Sequence, residues 1–195
     1  MKQKILSIML LIAMFLLGLS VSFLFKEKWQ CPACSFNEAD KIIPLINDQY
    51  SSAALNEFSN AKQEIDIVMY EMKFYATNNS VRQIEDILVS KSKQGVAVNV
   101  ILEQGEWQKQ TTELTKENRK SADYLEANGV KVKFDSLKTT THDKLVIIDG
   151  ETVILGSHNW GYSALQKNNE ASVLIRSRDI SGYYKNYFDN LWNQF

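Results

Sequence analysis

The chain has 195 residues, of which 45% are hydrophobic and 23% charged, enough for one domain of ordinary size but not for two large ones. Its 22 basic and 23 acidic residues nearly cancel, which excludes a disordered acidic or basic tail protein. Two Cys exclude a disulfide-dense scaffold, and two His beside them leave few ways to build a zinc enzyme within one chain.

The run from Ile5 to Phe25 carries no charge, and at about 1.5 Å per residue it is long enough to span a hydrocarbon core of roughly 30 Å. A core helix of that length would show a polar stripe, and none is present. Two readings stay open. One is an uncleaved signal anchor. The other is a signal peptide cut near Ser20-Val21-Ser22. Lys2 and Lys4 precede the run and Lys26 and Lys28 follow it, so the free amino group decides the orientation: N-terminus inside, the rest outside the cytoplasm, membrane-anchored or secreted if cleaved. Lys2 and Lys4 are two of the 22 basic residues, so 20 remain after the run against 23 acidic ones. A nonspecific DNA binder normally has a basic surplus.

Cys31-Pro32-Ala33-Cys34 follows. The pair reads as a local disulfide or two inert thiols, with a metal shared between two chains as the sharper alternative. Ser35 is the expected N-cap of a helix running to about Asn60, with Ile42, Ile43, Ile46, Tyr50, Ala54, Leu55 and Phe58 at helical spacing and Pro44 as a break or late start. Ile65 to Tyr70 reads as a strand, Val81 to Lys93 as an amphipathic helix closed by Gly95, and Val96 to Leu102 as a second strand. Thr115 to Asn128 is a helix ended by Gly129, and Val130 to Phe134 a third strand. Lys144 to Ile148 and Thr152 to Leu155 form a hairpin through Asp149-Gly150. Glu170 to Ile175 is a further strand and Ile180 to Trp192 a closing helix. This order predicts an α/β fold with a mixed sheet flanked by helices. The expected organisation is 1–28 as signal anchor or signal peptide, 29–62 as a C-x-x-C segment with a lead-in helix, and 63–195 as the catalytic domain.

Both histidines, His142 and His158, fall around that hairpin. On a strand, His142 and Lys144 share one face and Asp143 points the other way. An imidazole beside an ammonium fits an anionic third partner such as a phosphate diester: Lys144 neutralises its oxygens and His142 attacks its phosphorus. The hairpin returns Ser157 and Asn159 to the same strand end, offering a hydroxyl and an amide N–H. Glu170 is placed to accept from the other ring nitrogen of His142 and fix its tautomer. Asp149 is expected to be structural. His158 alternates away from Ser157 and Asn159 and is expected to be a rim or packing residue, with a role as the second, proton-donating histidine as the alternative.

His142-x-Lys144, four residues, Asp149, six residues, then Gly156-Ser157-x-Asn159 resembles the HKD signature of the phospholipase D superfamily. Trp160, Asn169, Glu170, Tyr70 and Gly95-Val96-x-Val98 are also similar. The resemblance covers roughly Ile65 to Phe195 and is closest to small members with one motif per chain, such as bacterial HKD endonucleases and the mitochondrial cardiolipin hydrolase type. It implies a phospholipase D-like fold and a metal-independent, two-step phosphodiester cleavage without a cofactor. His142 would carry a covalent phosphohistidine, and a second HKD histidine would protonate the leaving group and activate water. One motif per chain then implies a homodimer with the active site on its two-fold axis. Gly161 and Ala171 depart from the family, where Thr or Ser and Asn are common.

Three functions follow. Phospholipid head-group hydrolysis fits the membrane segment and the missing basic surplus. A nuclease of the same chemistry would use a strip of Lys109, Lys116, Arg119 and Lys120, interrupted by Glu113 and Glu117. A membrane-anchored binding protein would use the fold without the chemistry.

Overall fold

The computed structural model describes residues 41–107 and 110–195. The apolar run 5–25, Cys31, Cys34, the Ser35 cap and Lys109 lie outside the described residues. Among the described residues no helix is long and apolar enough to cross a membrane.

The elements are β1 (Lys41–Ile46), α1 (Gln49–Asn60), β2 (Glu64–Met69), α2 (Ser80–Lys93), β3 (Ala97–Leu102), β4 (Glu106–Trp107), β5 (Gln110–Thr111), α3 (Glu113–Ala127), β6 (Lys131–Phe134), β7 (Lys144–Ile148), β8 (Thr152–Gly156), α4 (Tyr162–Gln166), β9 (Ala171–Arg176) and α5 (Arg178–Trp192). Seven strands form one mixed sheet in the order β1-β9-β8-β7-β2-β3-β6. The β2–β3 and β3–β6 pairs are parallel and the others antiparallel.

Helices cover both faces of β2, so after Glu64 its sequence reads as an apolar run interrupted only by Asp66. Ile65, Ile67 and Met69 join a cluster with Tyr50 and Phe58 of α1, Ile84 and Leu88 of α2 and Leu125 of α3. Val68 faces the other side, where Ile101, Leu145, Ile147 and Val153 pack against Phe188 of α5. Asp66, on that second face, accepts from Asn99 Nδ2 at 2.8 Å and pairs with Lys185 Nζ at 3.1 Å, which answers the cost of burying its charge.

The first expected helix is a strand over its first part. Lys41–Ile46 pairs antiparallel with β9 as the sheet edge, Pro44 opposite Val173, and an edge is where a strand accommodates a residue without an N–H. Asn47 then turns through φ 52°, a region an Asn tolerates, and the helix starts at Gln49. The helix read from Thr115 begins two residues earlier, because Thr112 caps it by accepting from Thr115 N at 3.2 Å. The short α4 and the β4–β5 hairpin carry too few residues to show a period.

The Asp149-Gly150 hairpin is present. Both residues have positive φ, 53° and 63°, as the primed turn requires, and Glu151 N–H bonds Ile148 O at 3.0 Å. Gly156 is required for another reason. A Cβ there would stand 2.4 Å from Ser172 Cα and 2.1 Å from Ser172 Oγ across the β8–β9 pair.

Candidate active site

β2 and β7 run antiparallel, so the end of one meets the start of the other, with Met69 opposite Lys144. The strand proper begins at Lys144, and His142 sits two residues before it in extended chain. Tyr70 N–H holds that extension by bonding Asp143 O at 2.9 Å. Alternation persists: Asp143 points to α5, where Tyr187 Oη donates to its Oδ2 at 2.7 Å, while His142 and Lys144 turn the other way together.

Lys144 Nζ lies 2.7 Å from His142 O and 3.3 Å from His142 Nδ1. The Tyr70 ring covers both, its centroid 4.4 Å from the imidazole and 4.7 Å from Nζ. His142 is exposed, whereas Lys144 is only 7% exposed. Burial pulls the Lys144 amine below its usual range, and the charges of Asp143, Glu170 and Glu71 pull it back up. On the α5 face of this strand end, the face to which Asp143 points, a cleft of about 200 Å³ is lined by Asp143, Leu145, Leu155, Tyr184 and Tyr187, and it reaches His142, Lys144 and Gly156 at its edge.

Ser157, Asn159 and Glu170 come to the same end of the sheet through β8 and β9. Ser157 Oγ donates to Glu170 Oε2 and accepts from Ala171 N at 3.1 Å. Asn168 Nδ2 donates to Glu170 Oε1 at 3.1 Å. Glu170 therefore differs from the expectation: among the described residues its carboxylate is bonded to Ser157 and Asn168, not to the His142 ring. The reason is topological. Glu170 stands at the start of β9, whose neighbour is β8, so Ser157 is directly across, while His142 is one strand further away. Asn159 is half-buried; among the described residues its side-chain amide has no hydrogen-bond partner, and Oδ1 is buried without one. Of the expected phosphate-binding groups, Asn159 is thus uncommitted and the Ser157 hydroxyl is engaged.

His158 packs. It is fully buried, stacked on Tyr50 with centroids 4.6 Å apart, with Nε2 2.9 Å from Asn47 O and Nδ1 2.7 Å from Ser172 Oγ. A backbone carbonyl only accepts, so Nε2 carries the proton and Nδ1 accepts from Ser172. Burial holds its pKa below the usual value. Asp149 is structural as expected, at the opposite end of β7. Its carboxylate accepts from the N–H groups of Lys62, Gln63 and Glu64 at 2.8, 2.8 and 3.0 Å.

Several supports were not legible in sequence. Asn47 donates its N–H to Glu170 O at 3.0 Å and accepts from Glu170 N through Oδ1 at 2.9 Å, so the β1–α1 turn positions Glu170. Trp160 is fully buried and donates Nε1–H to Tyr50 Oη at 3.0 Å; burial pushes that phenol up to about 12. Asn118, on the inner face of α3, bonds Tyr70 O, Met72 N and Glu103 O at 2.8 to 2.9 Å and so holds the loop that presents Tyr70. The expected basic strip is largely neutralised. Lys116 pairs with Glu113 at 2.5 Å and Lys120 with Glu117 at 2.6 Å, and Arg119 lies over the Phe134 ring at 4.5 Å.

The family described as "Cardiolipin synthase, PLD-like domain" matches residues 54–192. A mitochondrial cardiolipin hydrolase of Chlamydomonas reinhardtii is 26% identical over 144 residues, 74% of this chain and 58% of that protein. A phospholipase D of Rickettsia prowazekii is 28% identical over 118 residues, 60% of this chain and 53% of that protein. The chain thus spans little more than half the length of these relatives. In fold it resembles the crystal structure of a phospholipase D family member, Nuc, from Salmonella typhimurium, with TM-score 0.65, 23% identity and coverage of 80% of this chain and 95% of that one. The chain belongs to the phospholipase D superfamily, as a member with a PLD-like domain.

Proposed function

We propose that the protein is a phosphodiesterase that hydrolyses phospholipid head groups through a phosphohistidine on His142. The observation that carries this reading is the convergence of the His142 ring and the Lys144 ammonium, 3.3 Å apart at the end of the sheet. A phosphate diester entering there draws the ammonium to its oxygens, and the Asn159 amide adds a neutral donor. His142 then forms a nitrogen–phosphorus bond as the bond to the leaving oxygen breaks. The leaving oxygen takes a proton from His142 of a second copy. That imidazole next removes a proton from water, whose oxygen displaces His142 from phosphorus.

This chemistry needs two copies, and one edge of the sheet offers a seam. Across β1 and β9, Ile42 stands opposite Ile175, Pro44 opposite Val173 and Ile46 opposite Ala171. Ile42 and Ile46 are 51% and 48% exposed. The strip ends beside Glu170, at the end of the sheet that carries His142, so a second copy seated on it would bring the two His142 ends toward each other. A lipid substrate is favoured over nucleic acid because the basic residues of α3 are already paired with carboxylates or laid on an aromatic ring. The membrane run 5–25, kept as anchor, would hold the cleft near lipid.

The test assays the purified full chain side by side on vesicles of phosphatidylcholine, phosphatidylglycerol and cardiolipin, and on plasmid and single-stranded DNA, all in EDTA. Head-group or phosphatidic acid release, with labelled phosphate trapped on His142 by an alkaline denaturing quench, supports the reading. Cleavage of DNA alone replaces the lipid by nucleic acid and leaves the chemistry. No turnover and no trapped phosphate from the dimer overturns it.

A further inference from the structure

β3 and β6 are parallel neighbours, so the residues that follow them lie side by side. These are Glu103 and Asp135, which are 4% and 2% exposed. Both carboxylates converge on one backbone donor. Thr141 N is 2.5 Å from Glu103 Oε2 and 3.2 Å from Asp135 Oδ2. Asp135 Oδ1 also accepts from Gln104 N at 2.8 Å. Residues 137–140, between Asp135 and Thr141, are exposed, and Thr141 is where the chain returns to the sheet immediately before His142.

Among the described residues, the groups bonded to the pair or to its adjoining backbone from neighbouring elements are neutral. Thr141 and Gln104 offer peptide N–H groups. From α3, Asn118 binds Glu103 O and Thr115 Oγ1 binds the backbone of Gly105. The nearby cation on α3, Arg119, is directed to Gln104 Oε1 at 3.3 Å and to the Phe134 ring. Two buried carboxylates in contact without a cation do not both ionise near neutrality.

We propose that Glu103 and Asp135 hold one proton between them and, as a singly charged pair, clamp the Thr141 N–H, which positions His142 for its reaction. The inference rests on the reading of His142 as the reacting group and adds a device that sets its place. Burial, then the hydrogen bond and charge of Asp135, push the Glu103 carboxyl up to about 8, against the pull of the Thr141 N–H. Above that pH the pair becomes doubly negative and its members repel; although each carboxylate alone accepts better when ionised, the repulsion drives the two apart and pulls one off Thr141.

The experiment uses the full chain and two readouts across roughly pH 6 to 9.5. The first is hydrogen exchange at the Thr141 amide, corrected for its intrinsic rate. The second is kcat on bis(p-nitrophenyl) phosphate. In the wild type, Thr141 protection and kcat fall together on the alkaline side, kcat by roughly tenfold at the upper end. In Glu103→Gln the amide donates to Asp135 and accepts from Thr141 without titrating, so protection and kcat persist there with KM unchanged. Asp135→Asn gives the same result by the reciprocal bond and serves where the first variant folds poorly. Alkaline limbs that coincide in wild type and both variants, or Thr141 protection that does not change with pH, overturn the clamp. Absence of turnover at every pH sinks the phosphodiesterase reading instead, and the exchange data alone then decide the clamp.

Discussion

Lys144 Nζ binds His142 at two atoms, the carbonyl oxygen at 2.7 Å and Nδ1 at 3.3 Å. The two side chains assigned to grip and to attack the phosphate therefore hold each other in the free chain. A charged Lys144 donates to Nδ1 and leaves the ring proton on Nε2. An arriving anion competes with the imidazole for the ammonium, so substrate binding itself frees the ring. Replacing Lys144 by Met keeps the apolar stem under Tyr70 and removes the charge. Turnover is expected to drop by about 10²- to 10⁴-fold. The melting temperature should hold or rise, since a desolvated amine has been removed. Activity and melting curves on one preparation check both.

Asp149 predicts the opposite pattern. It satisfies three backbone N–H groups at the start of β2 and turns the hairpin with φ 53°. Asp149→Ala loses the acceptors and puts a Cβ without a polar head in a left-handed turn, a cost of about 2 to 3 kcal/mol. Asp149→Asn recovers part of it. Urea unfolding measures the loss, and kcat per folded molecule stays within about twofold because no transition-state contact is removed.

His158 is neutral in the folded chain because burial holds its pKa below that of a free imidazole. A base depressed on folding contributes stability that is full above its unfolded pKa of about 6.5 and is lost as pH falls below it. Wild-type melting temperature is expected to fall on acidification through that window. His158→Phe keeps the stack on Tyr50, loses the bonds to Asn47 and Ser172 for about 2 kcal/mol, and lacks the acid-side slope. Phosphate trapped on His142 should persist in this variant; its disappearance would return His158 to the chemistry.

Glu85 titrates in the other direction. It is fully buried in α2, and neither carboxylate oxygen has a hydrogen-bond partner among the described residues, because Ser121 Oγ gives its hydrogen to Met72 O. Burial pushes the acid up to about 7, with the nearby Ser121 hydroxyl and then the Arg82 charge opposing. A raised carboxyl contributes stability that is full below its unfolded pKa and is lost as pH rises through the folded value. Between about pH 4.5 and about pH 7 the expected loss is about 3 kcal/mol. Glu85→Met removes this component, so the variant gains on the wild type as pH rises; a melting series across that range tests it.

Apart from α4 and the β4–β5 hairpin, the layout of sheet and helices from Ile65 onward was readable because each longer element carries its own period or cap, and the Asp-Gly turn fixed the hairpin. The alternation that put Asp143 opposite His142 and Lys144 was readable for the same reason. Lys41 to Ile46 was misread because an edge strand with one buried and one open face in six residues also satisfies a helical spacing, and only its pairing with β9 distinguishes them. The bond expected between Glu170 and His142 failed because strand order, which no local pattern encodes, put Ser157 between them. Asn118 and Glu103 leave no trace in sequence: a polar residue on an inner helix face and an acid at a strand end acquire meaning only from loops that lie far away in the chain.

Gly156 sets how closely β8 and β9 can run at the end of the sheet that carries the site. Its missing side chain lets the two strands pair at a distance where any Cβ would overlap Ser172. Ser157 follows it immediately and Glu170 precedes the facing strand, so the bond between those two side chains depends on a single hydrogen atom upstream. A methyl group at this position would act as a wedge, parting the strand ends while every polar side chain stayed chemically intact.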